Sequence, residues 1–199
     1  MRFEFLVEDR SIETFLAAIL PKILPVNSVV KIHSFQGKHD LLGKLSARLR
    51  GYARWIDKTT MRIVVVLDRD AEDCHELKSR LDAEAQSAGL ATPSARQGSW
   101  TVLNRIAIEE LEAWYFGEWS SVVQAYPRVP ANIPRKSNYR MSDAITGTWE
   151  AFERILQAHG YFRTGLRKVN AAADIGASFD PDKCTSPSFR CLLQGLRNP

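Results

Sequence analysis

The stretch Ile63-Val64-Val65-Val66-Leu67-Asp68-Arg69-Asp70 decides how this chain is read. A run of branched aliphatic residues without polar alternation describes a strand covered on both faces, as in a parallel sheet flanked by helices. That strand, Arg62–Leu67, runs straight into an Asp-x-Asp pair. In extended chain the side-chain period is two, so Asp68 and Asp70 are expected on one side, at the carboxyl end of a core strand. Open α/β sheets bind ligands at that end. Two carboxylates held close repel each other, and a hard cation relieves the repulsion with oxygen ligation. The same residues also read as helix-start chemistry, with Asp70 as the cap and Glu72 and Asp73 beside the positive helix end.

Working outward, Arg2–Val7 and Ser28–Phe35 read as strands, and Trp100–Ala107 as a fourth. Between them lie helical periods: Ser11–Leu24, with Ile12, Phe15, Leu16, Ile19 and Ile23 on one face; Lys38–Ile56, with Leu41, Leu45, Leu49, Tyr52 and Ile56; and a helix reaching about Ala88. Alternation of this kind predicts βαβ units: an α/β fold with a mainly parallel four-stranded sheet flanked by helices. From about Pro127 the pattern changes. Three prolines in Pro127–Pro134 precede a basic stretch, Arg135–Arg140, and helical segments near Trp149–His159, Gly165–Ala177 and Ser186–Leu196. The expected organisation is an α/β core over 1–126 and a basic helical extension over 127–199, packed on that core.

The 199 residues carry 27 Lys+Arg against 23 Asp+Glu, a net charge of +4. The sum conceals an asymmetry: residues 1–127 hold 16 basic and 17 acidic side chains, residues 128–199 hold 11 and 6. An anionic partner is therefore expected to meet patches, not the whole surface. The longest apolar runs, Phe15–Leu20 and Ile63–Leu67, fall far short of the ~20 residues of a membrane span. Glu4 interrupts the apolar start, so neither a signal peptide nor a membrane location is expected. Cys74, Cys184 and Cys191 form no disulfide or zinc pattern, and a reducing cytoplasm is the expected compartment.

Acids recur at the other strand exits. Val7-Glu8-Asp9 follows the first strand, and Glu109-Glu110-Leu111-Glu112-Ala113-Trp114 follows the fourth. Helical spacing would put Glu109 and Glu112 on adjacent parts of one face, suited to a second metal. Each cluster alone is also good helix N-terminal charge. A parallel sheet gathers the three exits, and that convergence favours a metal site.

These residues carry a resemblance. Glu8 after the first strand and Asp68-x-Asp70 after the third, in βαβαβα order, look like the Toprim arrangement of topoisomerases, DnaG-type primases, small-RNA maturation nucleases and the overcoming-lysogenization-defect (OLD) nucleases. A closer similarity is to a bacterial Toprim-like family catalogued as domain of unknown function 4276. It is carried by Phe5-Leu6-Val7-Glu8, Phe35-Gln36-Gly37-Lys38-x-Asp40-Leu41-Leu42, Val66-Leu67-Asp68-x-Asp70, Ile108-Glu109-Glu110-Leu111-Glu112-Ala113-Trp114 and Gly165-Leu166-Arg167-Lys168. The Toprim resemblance implies that Glu8 acts as acid/base or metal ligand and that Asp68 and Asp70 bind Mg²⁺ (or Mn²⁺). The Toprim glutamate is commonly followed by glycine, whereas Asp9 follows Glu8 here.

Six basic residues, among them Lys38, Lys44 and Arg48, lie in Lys38–Lys58. The rear adds Arg135, Lys136 and Arg140 around Tyr139, and Arg167 with Lys168. Beside a carboxylate–metal centre such cations suit a nucleic-acid backbone; they equally suit a partner protein. Trp114 and Trp149 sit at helical core spacing. Two functions are expected in competition. One is a Mg²⁺-dependent nuclease of DNA or RNA, the effector of a bacterial defence or mobile-element system. The other is a non-catalytic Toprim-like module working with an ABC-type ATPase partner, since no P-loop is present here.

Overall fold

The computed structural model describes residues 1–94 and 100–199. The chain runs β1 (Arg2–Val7), α1 (Arg10–Ile23), β2 (Val29–Ser34), α2 (Lys38–Ala53), β3 (Met61–Asp68), α3 (Cys74–Ser87), β4 (Val102–Ala107), α4 (Glu112–Gly117) and α5 (Trp119–Ala125). Three short 3-10 turns between Ile133 and Ala144 lead to α6 (Thr148–Ala158), α7 (Lys168–Ser178) and α8 (Pro187–Arg197). All strand pairs are parallel, in the order β2-β1-β3-β4. The fold is thus α/β with a four-stranded parallel sheet flanked by helices, as the strand–helix alternation predicts.

Alternate residues of β1 and β3 divide between two cores. Phe3, Phe5, Val7, Val64 and Val66 face α1 and the rear helices, while Leu6, Ile63, Val65 and Leu67 face α2 and α3. Each of these side chains is fully buried, a contribution of ~1.5–3 kcal/mol apiece for the aliphatic ones. The first core continues past residue 126 through Phe152, Ile175, Phe179, Phe189 and Leu192, so the extension shares the core of the sheet. Helix α7 lies directly on α1. A Cβ at Gly176 would stand 2.8 Å from the Ala18 Cβ, and Lys22 Nζ donates to the carbonyls of Gly176, Ala177 and Phe179.

Several local expectations change. The segment Gly165–Arg167 lies outside α7: Gly165 has φ 118 and Leu166 N–H is held by Glu153 at 2.6 Å. Trp149 is only half-buried, with the Lys168 ammonium 5.1 Å from its ring, whereas Trp114 is a true core residue. Among the described residues no helix is long and apolar enough to cross a membrane.

The sheet order fixes where a ligand would sit. The chain moves outward from β1 to β2, then returns past β1 to lay down β3 and β4. The topological switch therefore falls between β1 and β3, and the crevice outside their carboxyl ends is where such sheets bind ligands. Glu8 follows β1 and Asp68 ends β3.

Candidate functional site

Glu8 and Asp68 meet across the switch point. The Asp68 N–H donates to Glu8 Oε2 at 3.0 Å, and the Glu8 N–H continues the ladder to Val66 O at 3.1 Å. Gly37, at φ 92, lets the backbone turn so that its N–H reaches the Glu8 carbonyl at 3.0 Å as α2 begins. Asp9 is spent on structure: its Oδ1 accepts from Ile12 N–H at 2.9 Å and from the Ser11 hydroxyl, capping α1.

Beyond Asp68 the chain does not stay extended. Asp70 has φ 51 and Glu109 φ 60, left-handed values that non-glycine residues seldom adopt, and the Asp70 N–H donates to the Glu109 carbonyl at 3.0 Å. The expected same-side pairing of Asp68 and Asp70 is therefore absent. The Asp68 carboxylate turns inward, with Oδ1 buried and unpartnered, while half-exposed Asp70 binds Lys38 Nζ at 2.6 Å. Nor does Asp70 cap the next helix. Asp73 does, accepting from the N–H groups of His75 and Glu76.

The left-handed turn at Glu109 likewise breaks the expected helical face shared with Glu112, since α4 begins only at Glu112. Glu109 pairs with Arg69 and accepts from Gly147 N–H at 3.4 Å. Glu110 Oε2 accepts from the Thr148 hydroxyl at 3.0 Å and Trp149 N–H at 2.9 Å. These two glutamates complement a positive helix end, but it is that of α6. Glu112 points into the protein instead. It is 2% exposed and its Oε2 has no partner; 4.0 Å from its Oε1 stands Lys168 Nζ, itself 3.8 Å from Glu110. The Tyr115 hydroxyl, one helical turn on, is also buried without a partner.

The electrostatics follow. Burial pushes the Asp68 carboxyl well above the usual carboxylate range, and the charges of Glu8 and Glu112 add to the shift. Burial pushes Glu112 up to about 7 despite the opposing Lys168 charge. Glu8 is raised by burial and by Asp70, against the pull of the Asp68 N–H and Lys38. Burial disfavours the Lys168 ammonium, yet Glu112 and Glu110 outweigh it and hold its pKa high. Burial, Glu112 and Asp68 together drive the Tyr115 hydroxyl far above its ordinary value.

Among the described residues, no three acidic, histidine or cysteine side chains stand as a ready cage for a metal ion. The donor chemistry nevertheless fits one. Glu8, Asp68 and Glu112 are oxygen donors at the switch point, and two of them carry buried oxygens with no hydrogen bond, the groups a hard cation satisfies. Asp70 and Glu109 already hold Lys38 and Arg69.

The cations read as nucleic-acid contacts divide likewise. Lys38 is largely buried on Arg69 O, Asp70 and Glu72; Lys44 pairs with Asp40 at 2.5 Å; Lys168 belongs to the carboxylates. Arg48, Arg135, Lys136, Arg140 and Arg167 are exposed. Tyr139 is half-buried and stacked on Phe116 at 5.3 Å. Spacing alone missed Tyr115 and the inward role of Lys168. The available signal was adjacency: Tyr115 lies one turn beyond Glu112, and Lys168 closes the Gly165-Leu166-Arg167-Lys168 motif.

The family model described as Domain of unknown function (DUF4276) matches residues 7–197, and the chain belongs to that family. No curated protein and no solved structure matches it.

Proposed function

We propose that this protein is a divalent-cation-dependent phosphodiesterase acting on nucleic acid, with Glu8, Asp68 and Glu112 holding Mg²⁺ or Mn²⁺. The observation that carries this reading is the pair of buried carboxylate oxygens, on Asp68 and Glu112, left unpartnered at the switch point beside Glu8. Unpaired polar atoms cost ~1–3 kcal/mol each and persist where something else completes them. A bound cation supplies Lewis acidity toward a phosphoryl oxygen and acidifies bound water. The chain's own residues do the rest. Burial raises the carboxyls of Asp68 and Glu112, so a cation bound there would compete with protons for their oxygens, and the partly exposed Lys168 offers positive charge to a phosphate. Asp70 positions Lys38 at the mouth of the site. The Toprim resemblance of Glu8 and Asp68 points the same way, and a role as effector of a defence or mobile-element system rests on that resemblance alone.

The test is cleavage of supercoiled plasmid, single-stranded DNA and RNA with Mn²⁺ or Mg²⁺. Wild type is expected to cut at least one, with Asp68→Asn and Glu8→Gln losing about 100-fold or more while remaining folded. Asp70→Asn is expected to lose less. Equal cleavage by Asp68→Asn and wild type sinks the reading.

One observation favours a second reading, a non-catalytic module working with an ABC-type ATPase: Lys168 already neutralises part of the acidic charge. Inertness of the pure protein on every nucleic acid, together with stable co-purification of an ATPase, would decide for it.

A further inference from the structure

A second concentration of charge lies at the opposite end of the sheet, in a cleft of about 330 Å³ between α2 and the edge strand β2. Its floor is Glu4, an acid 2% exposed on a strand that is apolar apart from it and Arg2. Glu4 is fully spent. Its Oε1 accepts from Arg2 Nε at 2.8 Å, and its Oε2 accepts from the Tyr52 hydroxyl at 3.2 Å and meets His33 Nε2 at 2.7 Å. This network fixes the cleft floor and balances the Glu4 charge with that of Arg2. Lys31 and Arg48 line the same cleft, exposed and with no acidic partner among the described residues.

Trp55 closes it. It is 54% exposed and, among the described residues, the only aromatic in the set of large exposed hydrophobic side chains. Its ring is held by the Arg2 guanidinium at 5.4 Å and by Tyr52 at 5.4 Å. Arg48 also lies over the Phe35 ring at 5.9 Å, with its guanidinium left without an acidic partner among the described residues. An oriented, half-exposed indole beside two such cations is the combination that binds single-stranded nucleic acid: phosphates on the cations, a base on the ring. A duplex hides its base faces, and an acidic peptide offers no flat ring to stack. Helix α2 links this cleft to the carboxylates. Lys38, in its first turn, binds Asp70, and Trp55 lies two residues beyond its end. A 16-residue helix spans ~24 Å.

We propose that this cleft is a single-stranded nucleic-acid subsite, with Lys31 and Arg48 on phosphates and Trp55 under a base, holding the strand that the carboxylate site cuts. The proposal rests on the nucleic-acid reading above, but its test does not need the metal. Fluorescence anisotropy in EDTA would measure a labelled oligothymidylate or oligouridylate of about 12 nucleotides, within the usual site size, against a duplex of equal length. Wild type is expected to prefer the single strand and to show quenched tryptophan fluorescence. Trp55→Ala should weaken binding about 10-fold, with Trp55→Phe restoring most of it. Lys31→Glu with Arg48→Glu should weaken it further and reduce the salt slope by about 1.4, two contacts at ~0.7 each. All four substitutions are at exposed positions, and coincident thermal melts exclude unfolding. Equal or tighter binding of the duplex, equal competition by polyglutamate, or unchanged binding by the cleft variants would overturn the proposal. Strand binding without cleavage would leave it standing and remove the catalytic reading; cleavage indifferent to the cleft variants would do the reverse.

Discussion

Replacing Glu112 with glutamine is expected to stabilise the protein at pH 8 and to make its stability less dependent on pH. The wild-type carboxyl is 2% exposed with a pKa pushed up to about 7, against 4.5 when unfolded. Between those values the unfolded chain releases a proton that the native protein keeps. Stability therefore falls as pH rises through this window and is lowest above pH 7. At ~1.4 kcal/mol per pKa unit the loss is about 3 kcal/mol. Glutamine removes that ionisation, and the shift to about 7 already includes the opposing attraction of Lys168 at 4.0 Å. The gain at pH 8 is therefore about 3 kcal/mol, a shift of ~1 M in the urea midpoint. Asp68, and to a lesser degree Glu8, are raised in the same direction, so some slope survives in the variant. Glu4 and Asp82, whose pKa values are lowered, act at more acid pH and do not confuse this window. The assay is urea denaturation in EDTA from pH 5 to pH 8. A wild-type midpoint that is flat or rises with pH, or a glutamine variant no more stable than wild type at pH 8, would refute the reasoning.

Other substitutions separate packing from site chemistry. Tyr115→Phe removes a buried hydroxyl that has no partner, so stability should rise by ~1–3 kcal/mol in chemical denaturation, while cation affinity falls if that hydroxyl serves the site. Gly176→Ala forces a Cβ to within 2.8 Å of Ala18 and should lower stability by ~1–3 kcal/mol by parting α7 from α1, read as a lower melting temperature. Asp143→Ala removes the acceptor of the Ser186 hydroxyl at 2.6 Å and Ser188 N–H at 2.7 Å at the start of α8; a loss of ~1–3 kcal/mol is expected in chemical denaturation.

The fold was legible because its strongest signals are local. The aliphatic run before Asp68 could only be a doubly covered strand, and helical periods such as Leu41, Leu45 and Leu49 are met in α2. The convergence of acids at strand exits was legible too, as a consequence of parallel topology. What spacing could not supply was the backbone at those exits. Asp70 and Glu109 adopt left-handed conformations joined by one hydrogen bond, a tertiary event with no periodic signature. It turns Asp70 and Glu109 toward Lys38 and Arg69 and leaves the inner positions to Asp68 and Glu112. The ion pairing of Lys168 was hidden for the same reason. Its charge was visible in the sequence, but its partners, Glu110 and Glu112, lie more than fifty residues away.

The most direct test of the central claim is a Mn²⁺-soaked crystal at pH 8, examined at the manganese absorption edge. One anomalous peak is expected at the β1–β3 switch point, with oxygens of Asp68 and Glu112, and of Glu8, about 2.0–2.3 Å away, and no peak in Asp68→Asn. No peak there at saturating Mn²⁺, or an ion bound only to Asp70 or Glu109, would contradict it.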